Sequence, residues 1–378
     1  MLDMVDSQAI KLVFERKLRV AGETLVGEIH LNVIELKKNK IQEVNVKLRG
    51  SVFTRIIRQV DQYQFAKTER VELFCDTTTL WRCTTIAHLP LQTHILVLPF
   101  QFTLPSNLLP SCHGGGGTVG YSIEVVGVRP GFRLNERIRC SIPVLPPNPR
   151  GAKLSRELKA GWAGDWRTIE CSKKIRRGIW GDYSHVGMML KIPSLDALPI
   201  FTPIEFALHV VTVSKLMTLK DTPKGEPVFP APPLTPHFTQ FELKRNIHVR
   251  ARQWEETYKS DQVAVLGGLA PVAPSRGFYD DVQVEGVEKV WLPAAGDETK
   301  QQGSWKQEAT FRSTFMLTCP PSFTSATMAV AYWMRIEVKF PGIGNNLKGE
   351  FPVQVVSSMQ PPGAGTWGGP PPELDLPP

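Results

Sequence analysis

The chain has 378 residues, of which 42% are hydrophobic and 21% charged, with a formal net charge of +8. That length favours more than one domain with a sizeable core, and no uncharged apolar run approaches the ~18–20 residues of a membrane-spanning helix. Pro (32) and Gly (30) exceed average usage, which favours turns and short strands over long helices.

The opening "MLDMVDSQAIKLVF" has neither a basic start with an apolar core nor a small-residue cleavage site, so no secretory leader is read there. The six cysteines (Cys75, Cys83, Cys112, Cys140, Cys171, Cys319) are scattered without a Cys-x-x-Cys pair. Reduced thiols and a cytoplasmic setting are therefore expected. In "ETLVGEIHLNV", Leu25, Gly27, Ile29, Leu31 and Val33 share one face, while Glu28, His30 and Asn32 take the other. In "VNVKLRG", Val44, Val46 and Leu48 oppose Asn45, Lys47 and Arg49. This period of two predicts half-buried antiparallel strands, and the fold class is all-β. Residues 112–117, "CHGGGG", follow a Pro-Ser turn and precede the strand pattern led by Tyr121. Further on, 145–158 is rich in Pro and charge and reads as a linker, with a short helical turn around "AKLSREL". The stretch 221–238 reads as a Pro-rich loop, 260–304 as a poorly patterned insertion, and 359–378 as a disordered Pro/Gly-rich tail.

The chain also repeats itself. At an offset of 211, Phe100 matches Phe311, Pro110-Ser111 matches Pro321-Ser322, Tyr121 matches Tyr332, and Pro130-Gly131 matches Pro341-Gly342. After a two-residue slip, Pro143-Val144 is paired with Pro352-Val353. Tyr121, Ile123 and Val125 line one face, as do Tyr332, Met334, Ile336 and Val338. Two related β-domains in tandem account for this, at 1–145 and 159–358, joined by a linker at 146–158.

A His before a glycine run resembles an esterase oxyanion loop, which makes a hydrolase using His113 one reading. Such an enzyme needs a Gly-x-Ser-x-Gly elbow on an α/β scaffold. The nearest approach, Gly120-Tyr121-Ser122-Ile123-Glu124, lacks the second glycine and lies in a strand pattern. The matching stretch of the second copy, "FTSATMA", has neither His nor glycines, so the run reads as a variable, flexible connection at a sandwich edge. No Lys-Ser/Thr follows the glycines as a phosphate loop requires. The eight histidines show no zinc spacing, and no catalytic residue, metal or cofactor is assigned. Four basic clusters are candidates for phosphate or anionic partners: Arg16, Lys17 and Arg19; Lys37, Lys38 and Lys40; Arg129, Arg133, Arg137 and Arg139; and Lys173, Lys174, Arg176 and Arg177. Lysine at strand edges, which discourages pairing, is the plainer reading of each cluster. Without interleaved aromatics or an RNA-binding motif, they do not indicate nucleic acid. "PPLTP" (Pro232, Pro233, Pro236) and "PPPELDLPP" (Pro370, Pro371, Pro372) are candidate polyproline ligands.

"RVAGETLVGEIHLNV…IQEVNVKLRGSVFTRI", "LPFQFTLPSNLLPSC" and "VGYSIEVVGV" resemble an arrestin N-terminal domain. "KKIRRGIWGDYSHVGMMLKIPS", "CPPSF", "VAYWMRIEV" and "EFPVQV" resemble an arrestin C-terminal domain. Taken together over roughly 10–357, the set is similar to the fungal-type α-arrestins, or arrestin-related trafficking adaptors. The resemblance implies two tandem immunoglobulin-like β-sandwiches of arrestin type. It also implies a non-enzymatic cytoplasmic adaptor, peripheral to the plasma membrane or endosomes, that binds membrane-protein cytosolic segments. Links to endocytic or ubiquitin-ligase machinery, and contact with an anionic membrane surface, belong to the same expectation. None of the six tyrosines stands in a Pro-Pro-x-Tyr motif, which favours an indirect ligase link or an arrestin-shaped scaffold without ligase coupling.

Overall fold

A computed structural model of the chain describes residues 2–83, 94–178, 181–221, 228–235, 238–265, 283–296 and 301–363. In the first half the chain runs β1 (Leu2–Asp6), β2 (Ile10–Glu15), β3 (Arg19–Val20), β4 (Thr24–Asn32), a short helix α1 (Val33–Lys38), β5 (Glu43–Val60) and β6 (Tyr63–Arg82). It continues through β7 (Ile95–Thr103), β8 (Cys112–Gly114), β9 (Gly117–Val128), β10 (Glu136–Ile142) and β11 (Val144–Leu145). One sheet has the order β1-β2-β4-β7 and the facing sheet the order β10-β9-β5-β6, with β8 also on β9. The alternation read from sequence is the core pattern: Leu25, Ile29 and Leu31 point inward from one sheet, and Val44, Val46 and Leu48 from the other. Val33 departs from its predicted strand. The Asn32 carboxamide accepts hydrogen bonds from the amides of Ile34 (3.1 Å) and Glu35 (3.3 Å), so the chain turns into α1 at that point.

The second half begins with helix α2 (Pro149–Lys159), then β12 (Trp166–Arg176), β13 (Tyr183–Pro193), β14 (Leu198–Pro199), β15 (Ile204–Val213), β16 (Met217–Thr218), β17 (Thr239–Ala251) and β18 (Trp254–Val265). It closes with β19 (Gln283–Pro293), β20 (Gln302–Phe315), β21 (Phe323–Thr324), β22 (Met328–Val338), β23 (Leu347–Val353) and β24 (Val355–Val356). Its sheets are ordered β12-β13-β15-β20-β16, with β19 on β20, and β18-β17-β22-β21, with β23 on β22. The protein is thus all-β, two sandwiches in tandem. The expected insertion at 260–304 is corrected in part: Gln283–Pro293 is a strand laid along β20, and 260–265 completes β18. Its glycine, its glutamates and its place at the outer side of β20 mask the alternation.

The internal repeat is a repeat of hydrogen bonds as well as letters. The Tyr121 hydroxyl donates to Leu109 O at 2.7 Å and the Tyr332 hydroxyl to Pro320 O at 2.7 Å, each twelve residues back. The Ser111 hydroxyl accepts from Val144 N at 2.9 Å and the Ser322 hydroxyl from Val355 N at 3.0 Å, each across 33 residues. Val144 therefore corresponds to Val355, not to Val353, and the two-residue slip read from the Pro-Val pairs is wrong. The offset of 211 continues unbroken through the last strands, which pair in parallel with β3 and β14 respectively.

The linker expected at 146–158 is a docked helix. Asn148 caps it through Gly151 N at 2.9 Å, and Pro149 sits in the first turn. Gly151 rests on the carbonyl of Ser357, where a Cβ would collide. Ser155 accepts from Thr202 Oγ1 at 2.7 Å. The chain beyond β24 returns over this helix. Asn148 N donates to Met359 O at 2.8 Å, Met359 is buried, and the Pro362 ring lies on Gly22 of the first sandwich. Met359 and Gln360 are thus packed, which corrects the start of the expected tail; 361–363 are exposed and 364–378 lie outside the described residues.

Candidate functional site at the seam between the sandwiches

The glycine run is a tight hairpin. Gly114 pairs with Gly117, and Gly115 and Gly116 make the turn at φ +53° and +72°. Positive φ at both central residues gives a type I′ turn, whose twist matches that of the flanking strands. The turn is pressed into the second sandwich. A Cβ on Gly115 would stand 2.8 Å from Tyr258 Cβ and 3.1 Å from Ile247 Cβ, and one on Gly114 2.7 Å from an Arg245 guanidinium nitrogen. On Gly116 it would collide with Arg55 O, the carbonyl of the residue whose amide donates to Gly116 O at 2.7 Å. On Gly117 it would stand 2.8 Å from Met328 Sδ. The expectation of a flexible connection is therefore corrected: the glycines let two backbones approach across the seam. His113 bonds Thr118 Oγ1 at 2.9 Å, and the Ser122 hydroxyl accepts from Arg139 at 3.1 Å, so the hydrolase reading finds neither residue facing the other as base and nucleophile.

The long β5–β6 hairpin grips the same part of the second sandwich. Thr54 Oγ1 donates to Arg250 O at 2.6 Å, and Arg252 N donates to the Glu69 carboxylate. Arg58 donates to Glu255 O at 3.0 Å and lies 4.9 Å over the Trp254 ring. Cation–π contact and hydrogen bond together hold the guanidinium across the seam. Val60 pairs with Tyr63 and Arg58 with Phe65, which puts these side chains on one face. Val60 (56%), Tyr63 (63%) and Phe65 (50%) are exposed, and Ile57 is exposed on the other face. The hairpin thus carries a projecting apolar end, fixed at its base by the second sandwich.

Burial at the seam displaces titrations. The Cys112 thiol is pushed up to about 11 by burial, with nearby Arg245 opposing. The Tyr332 phenol is pushed well above its ordinary value by burial, then by Cys319 and Cys112.

The sequence-predicted cations fare differently. Arg19 is buried and bonds Glu23 (2.7 Å) and Glu15 O (2.6 Å), while Lys17 pairs with Glu15 at 3.1 Å. Arg16 is exposed beside them. Arg129 is a loop brace, bonded to Leu134 O (3.1 Å) and Glu136 (2.8 Å), whereas Arg133 is exposed. Lys173 donates to Gly344 O at 2.6 Å, Arg176 lies 5.9 Å over Tyr183, and Lys174 and Arg177 are exposed. Arg19 and Arg129 thus brace the first sandwich through these internal partners. Pro233 is buried and Pro232 half-buried, and just upstream Gln307 clamps the chain through Val228 O (2.6 Å) and Pro230 O (3.0 Å). Leu234 beside Pro233 is exposed; Pro236 and Pro370, Pro371 and Pro372 lie outside the described residues. Sequence reading missed Arg245, Ile247, Trp254 and Tyr258. Only their pairing on β17 and β18 brings them to the seam, and no local signal marks it.

Two sandwiches of matched hydrogen-bond frame, locked through a glycine turn and a long hairpin, define an arrestin-like tandem. Residues 10–148 match the family model described as Arrestin (or S-antigen), N-terminal domain. The first sandwich is of that type, and the second repeats its frame outside the matched residues. No curated protein matches the chain. An arrestin-type domain supports an adaptor or scaffold kind of role.

Proposed function

We propose that this protein is a non-enzymatic cytoplasmic adaptor of the α-arrestin kind, which binds cytosolic segments of membrane proteins and links them to endocytic or ubiquitin-ligase machinery. The observation that carries this reading is the β5–β6 hairpin. Its exposed Val60, Tyr63 and Phe65 project from a base fixed by Thr54 and Arg58, within a domain that matches an arrestin model. A rigid base holding an exposed apolar end suits partner binding, because little order is lost on contact. The absence of Pro-Pro-x-Tyr from the chain supports an indirect ligase link, or a scaffold without one.

Proximity labelling in cells tests the reading. The wild-type chain labels membrane-protein cytosolic tails and trafficking factors, and V60S/Y63S/F65S loses them. Equal labelling by the two chains, or labelling confined to soluble proteins, contradicts it. Ubiquitination of the labelled tails separates the ligase-coupled adaptor from the scaffold.

A further inference from the structure

The turn between β9 and β10 holds two side chains in open solvent. Phe132 is 109% exposed and Leu134 87%, two large apolar side chains within one turn. They do not hang on slack chain. Arg129 N donates to the Asn135 carboxamide at 3.0 Å, and the Arg129 guanidinium bonds Leu134 O and Glu136. The Ser7 hydroxyl reaches the same Glu136 from the β1–β2 turn. The base of the turn is therefore braced, and its two apolar residues stand outward on either side of Arg133.

The surroundings are basic. Gln42 N donates to Val128 O at 2.8 Å, which brings the end of α1, with exposed Lys37 and Lys40, to the same end of the sandwich. Arg133 is exposed on the turn, and Arg137 keeps 63% of its side chain exposed while touching Glu124. Three carboxylates at this end are already engaged: Glu35 with Lys38, Glu43 with Arg82 and Glu136 with Arg129. Apolar residues at an apex with exposed cations behind them match the layering of an anionic bilayer, acyl boundary beneath headgroups.

We propose that the Phe132–Leu134 turn, with Lys37, Lys40, Arg133 and Arg137 behind it, seats the distal end of the first sandwich on anionic lipid bilayers. A folded acidic protein would meet the same cations but offers no acyl layer for Phe132 and Leu134. The proposal stands on this turn alone and does not depend on the β5–β6 hairpin.

Co-sedimentation of the full chain with vesicles of phosphatidylcholine, with and without phosphatidylserine, tests it. Binding appears with phosphatidylserine, falls as NaCl rises, and drops about ten-fold or more in F132S/L134S. K37E/R133E loses the preference for the anionic lipid. Both variants alter exposed positions and keep the wild-type melting temperature, and V60S/Y63S/F65S binds vesicles as wild type does. No phosphatidylserine-dependent binding by wild type, or F132S/L134S binding undiminished, overturns the proposal. So does K37E/R133E keeping its lipid preference, or capture of soluble inositol hexakisphosphate without capture of vesicles.

Discussion

The two tyrosine-led hairpins are alike in their frame and unlike at their turns. In both, a buried Tyr bonds a carbonyl twelve residues back, and a Ser receives an amide 33 residues on. Yet Gly114-Gly115-Gly116-Gly117 in the first stands where Ser325-Ala326-Thr327-Met328 stands in the second. The second turn is closed by its own Ser325, whose hydroxyl bonds Met328 N at 3.0 Å, and Ala326 is exposed. The first is closed by glycines because Arg245, Ile247 and Tyr258 press on it. Frame residues answer to their own sandwich, and turn residues answer to whatever the turn meets.

The sharpest break of that comparison is Gly116→Val against Ala326→Gly. The valine enters a positive-φ position against Arg55 O, so a loss of about 3 kcal/mol or more is expected in urea unfolding. Ala326→Gly changes an exposed turn residue and shifts stability by no more than about 0.5 kcal/mol. A Gly116→Val loss no larger than that would mean the turn is not held at the seam.

The matched frames are tested next. Tyr121→Phe and Tyr332→Phe each strand a carbonyl and cost about 1–2 kcal/mol, by similar amounts if the frames are equivalent. Burial raises both phenol pKa values above the ordinary 10. A raised folded pKa means the neutral phenol stabilises fully below pH 10, and that stability is lost as pH rises through the folded values. Urea midpoints should be level with respect to these two groups up to about pH 10 and then fall, less steeply in each Phe variant. Ser111→Ala and Ser322→Ala should each cost about 1 kcal/mol, again as a matched pair. The smallest effect is at the seam latch. Thr54→Val loses one buried bond, about 1 kcal/mol, while Arg58→Ala, half-exposed, loses less than about 1 kcal/mol.

Much of the fold was legible because strand faces repeat every two residues: Leu25, Ile29, Leu31, Val44, Val46 and Leu48 lie where alternation puts them. The duplication was legible up to the Pro-Gly turns. It then slipped because Pro-Val dipeptides recur in letters while the equivalent backbone bonds fall on Val144 and Val355. Helix α2 showed only as a turn, since its docking depends on Ser357 and Thr202, far along the chain. The role of the glycine run was hidden for the same reason, for Arg245 and Tyr258 lie more than a hundred residues away. The exposure of Phe132 and Leu134 was equally hidden, because an apolar pair in a turn reads the same whether packed or projecting.

The claim that the glycine hairpin locks two sandwiches into one unit is tested most directly by scanning calorimetry of wild type and G115A/G116A. The wild type should melt in a single cooperative transition. The variant should melt in two, with the circular dichroism of its β-sheets retained below the first. A wild type that already melts in two steps, or a variant that melts with the wild type, would contradict it.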